Sequence, residues 1–362
     1  MAMESRKIQK VGAATYTVSL PKEWVGRRNL HKGDQVFLVE EGEGLRLTPR
    51  PDAAERGRED TEFTVDADLC DDPGMLERII VGNYVLGRER IVVRSSKRLR
   101  SEHQDEIRGA IRRLIGIGII EENGTRIVLQ CSIDPANYPL EALIKRLYNL
   151  GATMFSESIE ALARGDPALA QDAIRREDDA DMMYWLILRL ILSAQLDEAL
   201  VERLGMRSKL EIPGYRLIAK DLETVADLSH GIARNVKDLL DEGIRTPPTV
   251  VKAISDFAEL IERACAKALG GLLSRDLKQA NEAIQLASGI EKREQDLVRL
   301  VLRETKDPKA IVPLRMIYSS MAGIGGFANS IAVIAFNRYL EKPSDVCRPT
   351  RGATVEPTSA TA

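Results

Sequence analysis

From Pro139 to about Leu340 the chain reads as amphipathic helix almost without interruption, and this run limits the possible folds more than any other feature. Apolar residues recur at helical spacing, and the breaks are short: Arg-Gly-Asp-Pro at 164–167, Ile-Pro-Gly at 212–214, Thr-Pro-Pro at 246–248, Ser-Arg-Asp at 274–276 and Asp-Pro at 307–308. They delimit six expected helices, 139–164, 167–205, 214–242, 249–273, 276–305 and 312–341. Long helices joined by so few residues pack antiparallel. The six also read as three taken twice. SESIEALARGDPALAQDAI is answered by ACAKALGGLLSRDLKQANEAI, and EDDAD by EKREQD. The second copy has one more helical turn between Asp276 and Glu291 than the first has between Asp166 and Glu177, which preserves the facing direction. The expectation is two tandem three-helix bundles, 139–242 and 249–341.

Two of these helices carry carboxylates four residues apart, Glu177/Asp181 and Glu223/Asp227, so each pair shares one helix face. A run such as Glu177, Asp178, Asp179 and Asp181 is by default a solvated face. The second pair changes that reading, because it borders the apolar stripe of Ile218, Leu222, Val225, Ala226 and Ile232. Antiparallel helices would bring the acids together, Glu177 with Glu223 and Asp181 with Asp227. Like charges so placed raise each other's pKa or recruit a cation. Oxygen-only ligands suit a hard divalent or trivalent ion: magnesium, manganese or iron, with zinc not excluded. His230, three residues beyond Asp227, adds a candidate nitrogen ligand that would favour iron or zinc, against the commoner reading of a surface or capping histidine.

Upstream, residues 61–134 alternate strand and helix: TEFTVDA, a helix opened by Asp72-Pro73, ERIVVRS, a second helix EHQDEIRGAIRRLIG, and a hairpin around Asn123-Gly124. This is a small mixed α/β domain without a catalytic constellation. Residues 49–60 have no apolar anchor and read as a linker, and 342–362 as a disordered Pro/Ser/Thr-rich tail. The formal net charge of −3 hides a basic start, in which Arg6, Lys7, Lys10, Lys22, Arg27, Arg28 and Lys32 face only Glu4 and Glu23 within residues 1–33. Arg6, Lys7, Lys10, Arg27 and Arg28 are the candidates for nucleic-acid contact, with plain solubilising charge as the alternative. Cys70, Cys131, Cys265 and Cys347 have no disulfide or zinc-finger spacing, and no signal-type apolar stretch precedes the first charges, so a reducing, cytoplasmic setting is expected. The apolar SSMAGIGGFANSIAVIAF at 319–336 is expected to be a core helix and not an integral membrane span; attachment to a membrane protein stays open.

Residues 6–49 form the pattern strand, strand, short helix opened by Pro21, then a Lys32-Gly33-Asp34 turn into a hairpin. VGAATYTVSLPKEW, LHKGDQVFLVEEG and LRLTP resemble the AbrB/SpoVT swapped-hairpin DNA-binding domain. The resemblance implies an N-terminal swapped-hairpin β domain over 1–50, an intertwined homodimer or higher homo-oligomer, and contact with double-stranded DNA. Gly12-Ala13-Ala14 stands where relatives reach toward DNA, which implies weak base readout.

REDDAD and DLETVADLSHGIARNV, with the tandem organisation, resemble the PhoU family of phosphate-uptake regulators, and the AbrB-like head is similar to that family's archaeal branch. In that family E/DxxxD motifs hold multinuclear iron or zinc clusters, which carries over to Glu177, Asp181, Glu223 and Asp227. Leu228 and Gly231 stand where relatives have His and Asn. In the second repeat Gln295 replaces an acid, and Met321, Gly325 and Gly326 replace the Glu/Asp-His pattern, so a second complete cluster is not expected. The resemblance implies a non-enzymatic regulator of phosphate uptake and phosphate-responsive signalling or transcription, with a phosphate ABC transporter or a sensor kinase as partner. Two alternatives stay open: an adaptor that does not bind DNA, and a carboxylate-bridged metalloenzyme.

Overall fold

The computed structural model describes residues 5–12, 14–41, 44–48 and 62–348, which fall into two compact units, Met1–Thr61 and Glu62–Ala362. The expected linker at 49–60 lies outside the described residues, as does the tail from 349 onward. In the first unit, β1 (Gln9–Val11) pairs antiparallel with β2 (Thr15–Thr17), and β3 (Phe37–Glu41) with β4 (Gly44–Thr48). The first two strands are shorter than the sequence pattern suggests. Between the pairs lies α1 (Lys22–Arg27), with Pro21 at the N-cap and not at the first helical position. Gly33 takes φ +102° and Asp34 accepts the backbone N–H of His31 at 2.6 Å, which accounts for the Lys-Gly-Asp turn. None of the residues of this unit whose exposure is described is buried, and Ile8, Val11, Tyr16, Leu38 and Leu45 are each more than half exposed. A segment this short cannot bury its apolar residues alone.

The second unit begins with a four-stranded sheet in the order β5 (Glu62–Asp66), β6 (Arg90–Arg94), β8 (Arg126–Cys131), β7 (Ile117–Glu122). β5 and β6 run parallel through the crossover helix α2 (Met75–Val85), and the other pairings are antiparallel. α3 (Ser101–Arg112) packs beside α2, and Leu76, Ile80, Tyr84, Ile107 and Ala110 from these helices are fully buried. The α2 N-terminus is satisfied from a distance: Glu106 accepts the N–H groups of Gly74, Leu76 and Glu77 at 2.8, 3.0 and 3.2 Å.

The remainder is helical: α4 (Leu140–Arg164), α5 (Pro167–Arg175), α6 (Glu177–Leu196), α7 (Glu198–Arg203), α8 (Glu211–Asp241), α9 (Pro248–Ser274), α10 (Leu277–Ala287), α11 (Ile290–Glu304) and α12 (Pro308–Leu340). The helix expected over 167–205 is three helices, broken at Arg176 and again at Asp197, whose side chain caps α7 through the N–H of Ala199. That expected over 276–305 is two. Two starts come earlier than expected. α8 contains Pro213 in its first turn, where no helical carbonyl needs the missing N–H, and α12 absorbs Pro313 one turn further in at the loss of one hydrogen bond. α5 and α10 are capped alike. Asp166 accepts from the N–H groups of Ala168 and Leu169, and Asp276 from those of Lys278 and Gln279. Each follows a left-handed residue, Gly165 at φ +68° and Arg275 at φ +53°.

α8 runs through the body, packed against α4, α6 and α12. At Gly151 of α4 an added Cβ would meet Val225 at 3.2 Å and the Ala226 nitrogen at 3.5 Å, so the glycine lets α4 sit close to the acidic part of α8. α12 is long and apolar enough to cross a bilayer, with mean hydropathy 1.4 over its best window. Here it packs against α8, α9 and α10, burying Leu314, Tyr318, Met321, Ile324 and Ala328. The α/β layer is locked onto the bundle by Arg189 of α6. Its guanidinium donates to the carbonyls of Tyr84 at 2.6 Å, Arg88 at 3.0 Å and Gly87 at 3.2 Å and lies against the Tyr84 ring.

Candidate metal centre

α6 and α8 meet antiparallel, and three of the expected acids converge there: one carboxylate oxygen each from Asp181, Glu223 and Asp227 lies within 4.8 Å of the others. Among the described residues this is the one group of three or more potential ligands so arranged. Glu177 lies beside the trio and pairs with His230, Nδ1 to Oε2, at 3.0 Å. The register therefore departs from the expected pairing in one respect. Asp181 does meet Asp227, but Glu177 faces His230 and Asp227 while Glu223 faces Asp181. In an antiparallel pair, numbers rising on one helix meet numbers falling on the other. Equal offsets of 46 along both helices would require parallel packing.

The local sequence explains each placement. Glu177, Asp178 and Asp179 occupy the first turn of α6, where negative charge complements the helix dipole. Beyond them the helix is almost wholly apolar, with Met183, Leu186, Ile187, Leu190 and Ile191 buried, so Asp181 is held at the boundary between solvent and core. On α8 the buried positions Leu222, Val225, Ala226 and Ser229 fix the rotation, leaving Glu223 nearly buried at 9% exposure and Asp227 at an accessible edge.

Two cations missed by the sequence reading already meet this cluster. Arg113, just after α3, donates from Nη2 to Asp181 at 2.7 Å and stands 3.4 Å from Glu77. It lies 68 residues before Asp181 and comes from the α/β layer, so no local pattern signals it. Lys220 pairs with Glu223, and Thr224 donates to the same oxygen at 3.2 Å. A lysine three residues before a glutamate on a helix was the available signal. Asp227, unlike Asp181 and Glu223, pairs with no cation among the described residues and carries the consequence. Burial, then the repulsion of Glu223 and more weakly of Asp181 and Glu177, pushes its carboxyl up to about 6, with Lys220 opposing.

Three carboxylates of this spacing suit a hard cation. Two oxygens on one ion at roughly 2.0–2.6 Å lie at most about 5 Å apart, so the observed spread needs little adjustment. Asp227, held near 6 by burial and then by the repulsion of Glu223, is the group that would gain most from positive charge. Asp181 would share its charge between the ion and Arg113, and Glu177 with His230 would enter only by giving up their mutual contact.

The expected second repeat carries other contacts between α11 and α12. Glu294 pairs with Arg315 at 2.9 Å, and at Gly325 an added Cβ would fall 2.1 Å from Ile290 Cδ1, so glycine there admits an apolar contact between α11 and α12.

The nucleic-acid candidates Arg6, Lys7, Lys10, Arg27 and Arg28 all lie on the first unit and are exposed. Lys10 sits in β1 opposite Tyr16, Arg27 ends α1 and Arg28 is its C-cap.

Comparison with known proteins finds a match in each unit. The family model described as PhoU domain matches residues 144–236, and that described as antidote-toxin recognition MazE, bacterial antitoxin, matches residues 9–55. A phosphate-specific transport system accessory protein PhoU homolog of Rhizobium meliloti is 27% identical over 234 residues, 60% of this chain and 94% of that protein. PhoU homolog 2 of Thermotoga maritima is 25% identical over 195 residues, covering 50% and 76%. Solved structures of PhoU from Pseudomonas aeruginosa and of the phosphate transport system regulatory protein PhoU from Streptococcus pneumoniae are similar over 56% of this chain and 96% and 93% of theirs, each with a TM-score of 0.47, at 21% and 19% identity.

Proposed function

From a chain that carries a PhoU domain behind a MazE/AbrB-like N-terminal unit, we propose an accessory regulator of phosphate transport whose helical body binds a divalent or trivalent cation and a protein partner. The observation that carries the reading is the convergence of Asp181, Glu223 and Asp227 from α6 and α8 inside the segment matched as PhoU domain. Both relatives are named as accessory proteins of a phosphate-specific transport system, and a phosphate transporter or its sensor kinase is the partner class this implies. The three carboxylates would hold the ion, with iron, zinc, manganese and magnesium as the candidates. The ion would supply the positive charge that offsets the repulsion on Asp227, fixing α6 against α8 as a docking surface. No step of catalysis is assigned to it.

The first unit supports two further roles. Its unburied apolar side chains fit self-association into a dimer or larger homo-oligomer, and its exposed Arg6, Lys7, Lys10, Arg27 and Arg28 fit contact with double-stranded DNA.

Elemental analysis of native protein beside the Asp181→Asn/Glu223→Gln/Asp227→Asn variant tests the metal: equal metal content in the two overturns that assignment. Capture from native cells grown at high and low phosphate, with bound proteins and DNA identified together, tests the partners. Charge reversal at Arg6, Lys7 and Lys10 is expected to abolish an electrophoretic shift, and absence of binding at low salt to DNA from the chain's own phosphate operon overturns the DNA role.

A further inference from the structure

The first turn of α8, the C-terminal end of α9 and the last turn of α12 meet around a buried carboxylate that is outnumbered by cations. Glu211, 2% exposed, accepts from Arg275 Nη2 at 2.7 Å and from the backbone N–H of Arg207 at 3.3 Å. Arg338 Nη1 stands 4.0 Å from the second oxygen. Arg338 itself is 3% exposed, lies 3.6 Å from the centre of the Tyr215 ring, and buries Nε and Nη2 with no hydrogen-bond partner among the described residues. Two guanidinium groups therefore share one carboxylate. Arg207, Arg275, Arg338, Lys342 and Ser344 line a cavity of about 210 Å³ beside them. The nearby Asp345 is engaged by Arg348.

Arg207, Arg275, Arg338 and Lys342 outnumber Glu211 and Glu141, the latter accepting from the Tyr215 hydroxyl at 3.4 Å, so positive charge is in surplus and an anion in the cavity would offset it. Guanidinium forks present several donors in a fixed plane and match oxyanions with two or more acceptor oxygens, and Lys342 and the Ser344 hydroxyl offer further donors at the rim. Glu211 lies roughly 18 Å along α8 from Glu223 at 1.5 Å per residue, so this cavity is distinct from the acidic cluster.

We infer that the cavity formed by Arg207, Arg275, Arg338, Lys342 and Ser344 is a binding site for a phosphate-type oxyanion, either free phosphate or a phosphomonoester. The inference goes beyond the proposed function and does not depend on the metal.

The test is calorimetric titration and thermal melting of the full chain with inorganic phosphate, beside sulfate and chloride at matched ionic strength and adenosine monophosphate. Saturable phosphate binding with a raised melting temperature is expected. Arg207→Glu/Lys342→Glu changes two exposed rim residues and is expected to weaken binding at least ten-fold with the fold intact. Arg338→Met is expected to abolish it; should that variant fail to fold, the rim variant decides. Tighter binding of phosphate identifies the free anion, and tighter binding of the monophosphate identifies a phosphomonoester. Sulfate and chloride matching phosphate, no saturable binding of either phosphate probe, or full binding by the rim variant overturns the proposal. Failure of the metal assignment would appear in elemental analysis and leave these results untouched.

Discussion

Asp227→Asn is expected to stabilise the metal-free protein, although it deletes a charge from an acidic motif. The Asp227 carboxyl is raised from 3.8 to about 6, first by burial and then by Glu223. A shift of roughly two units corresponds to ~3 kcal/mol of unfavourable interaction in the charged form. Because Asp227 keeps accessible surface, solvent screening reduces this to ~1–2 kcal/mol. For a folded unit of this size that is about 2–3 °C in melting temperature. The pH dependence follows from the sign of the shift. A raised folded-state pKa means the folded state binds the proton more tightly, so the penalty is absent well below 3.8, grows as pH rises, and is full above about 6. The variant's advantage should be complete at pH 7.5 and fall to about a third of that at pH 4.5. The assay is thermal unfolding of both proteins in chelator at the two pH values. A variant that melts at or below wild type at pH 7.5, or keeps the same gain at pH 4.5, refutes the argument. With saturating cation the order should reverse, because only wild type gains binding energy.

Other perturbations separate charge from packing. Arg113→Ala removes the guanidinium that shares Asp181, so metal affinity by calorimetry should rise several-fold while the chelated protein loses stability; unchanged affinity would argue against Asp181 as a ligand. Arg189→Met deletes three buried donors to the carbonyls of Tyr84, Gly87 and Arg88, at a cost of ~3 kcal/mol, and hydrogen exchange should show the end of α2 opening first. Gly271→Ala drives a Cβ to 2.7 Å from the Ala280 backbone nitrogen, which should cost ~1–3 kcal/mol through overpacking. Gly326→Ala meets nothing within 4 Å and should add ~0.5–1 kcal/mol of helix stability; denaturant midpoints for the two glycine variants should move in opposite directions.

The sequence by itself determined the class of each region, because that information is local. Alternating β-branched residues and the Asn123-Gly124 turn placed β5 to β8 close to their observed bounds. Helical periodicity placed α4, α8, α9 and α12, and the similar segments around Asp166 and Asp276 placed a helix break at each. The four-residue steps named Asp181, Glu223 and Asp227 as partners. What remained hidden depends on contacts between distant segments. The breaks at Arg176 and Ser288-Gly289 carry no proline, and Pro213 and Pro313 sit inside helices whose packing tolerates them. Tertiary structure alone decided the register of α6 on α8, since an antiparallel contact turns equal offsets into crossed ones. It alone brought Arg113 from the α/β layer to Asp181, and gathered Arg207, Arg275 and Arg338 around Glu211. Periodicity fixes which face a helix buries, but the charge that meets that face comes from whichever chain segment folding delivers, and Coulomb interaction acts through space regardless of sequence separation.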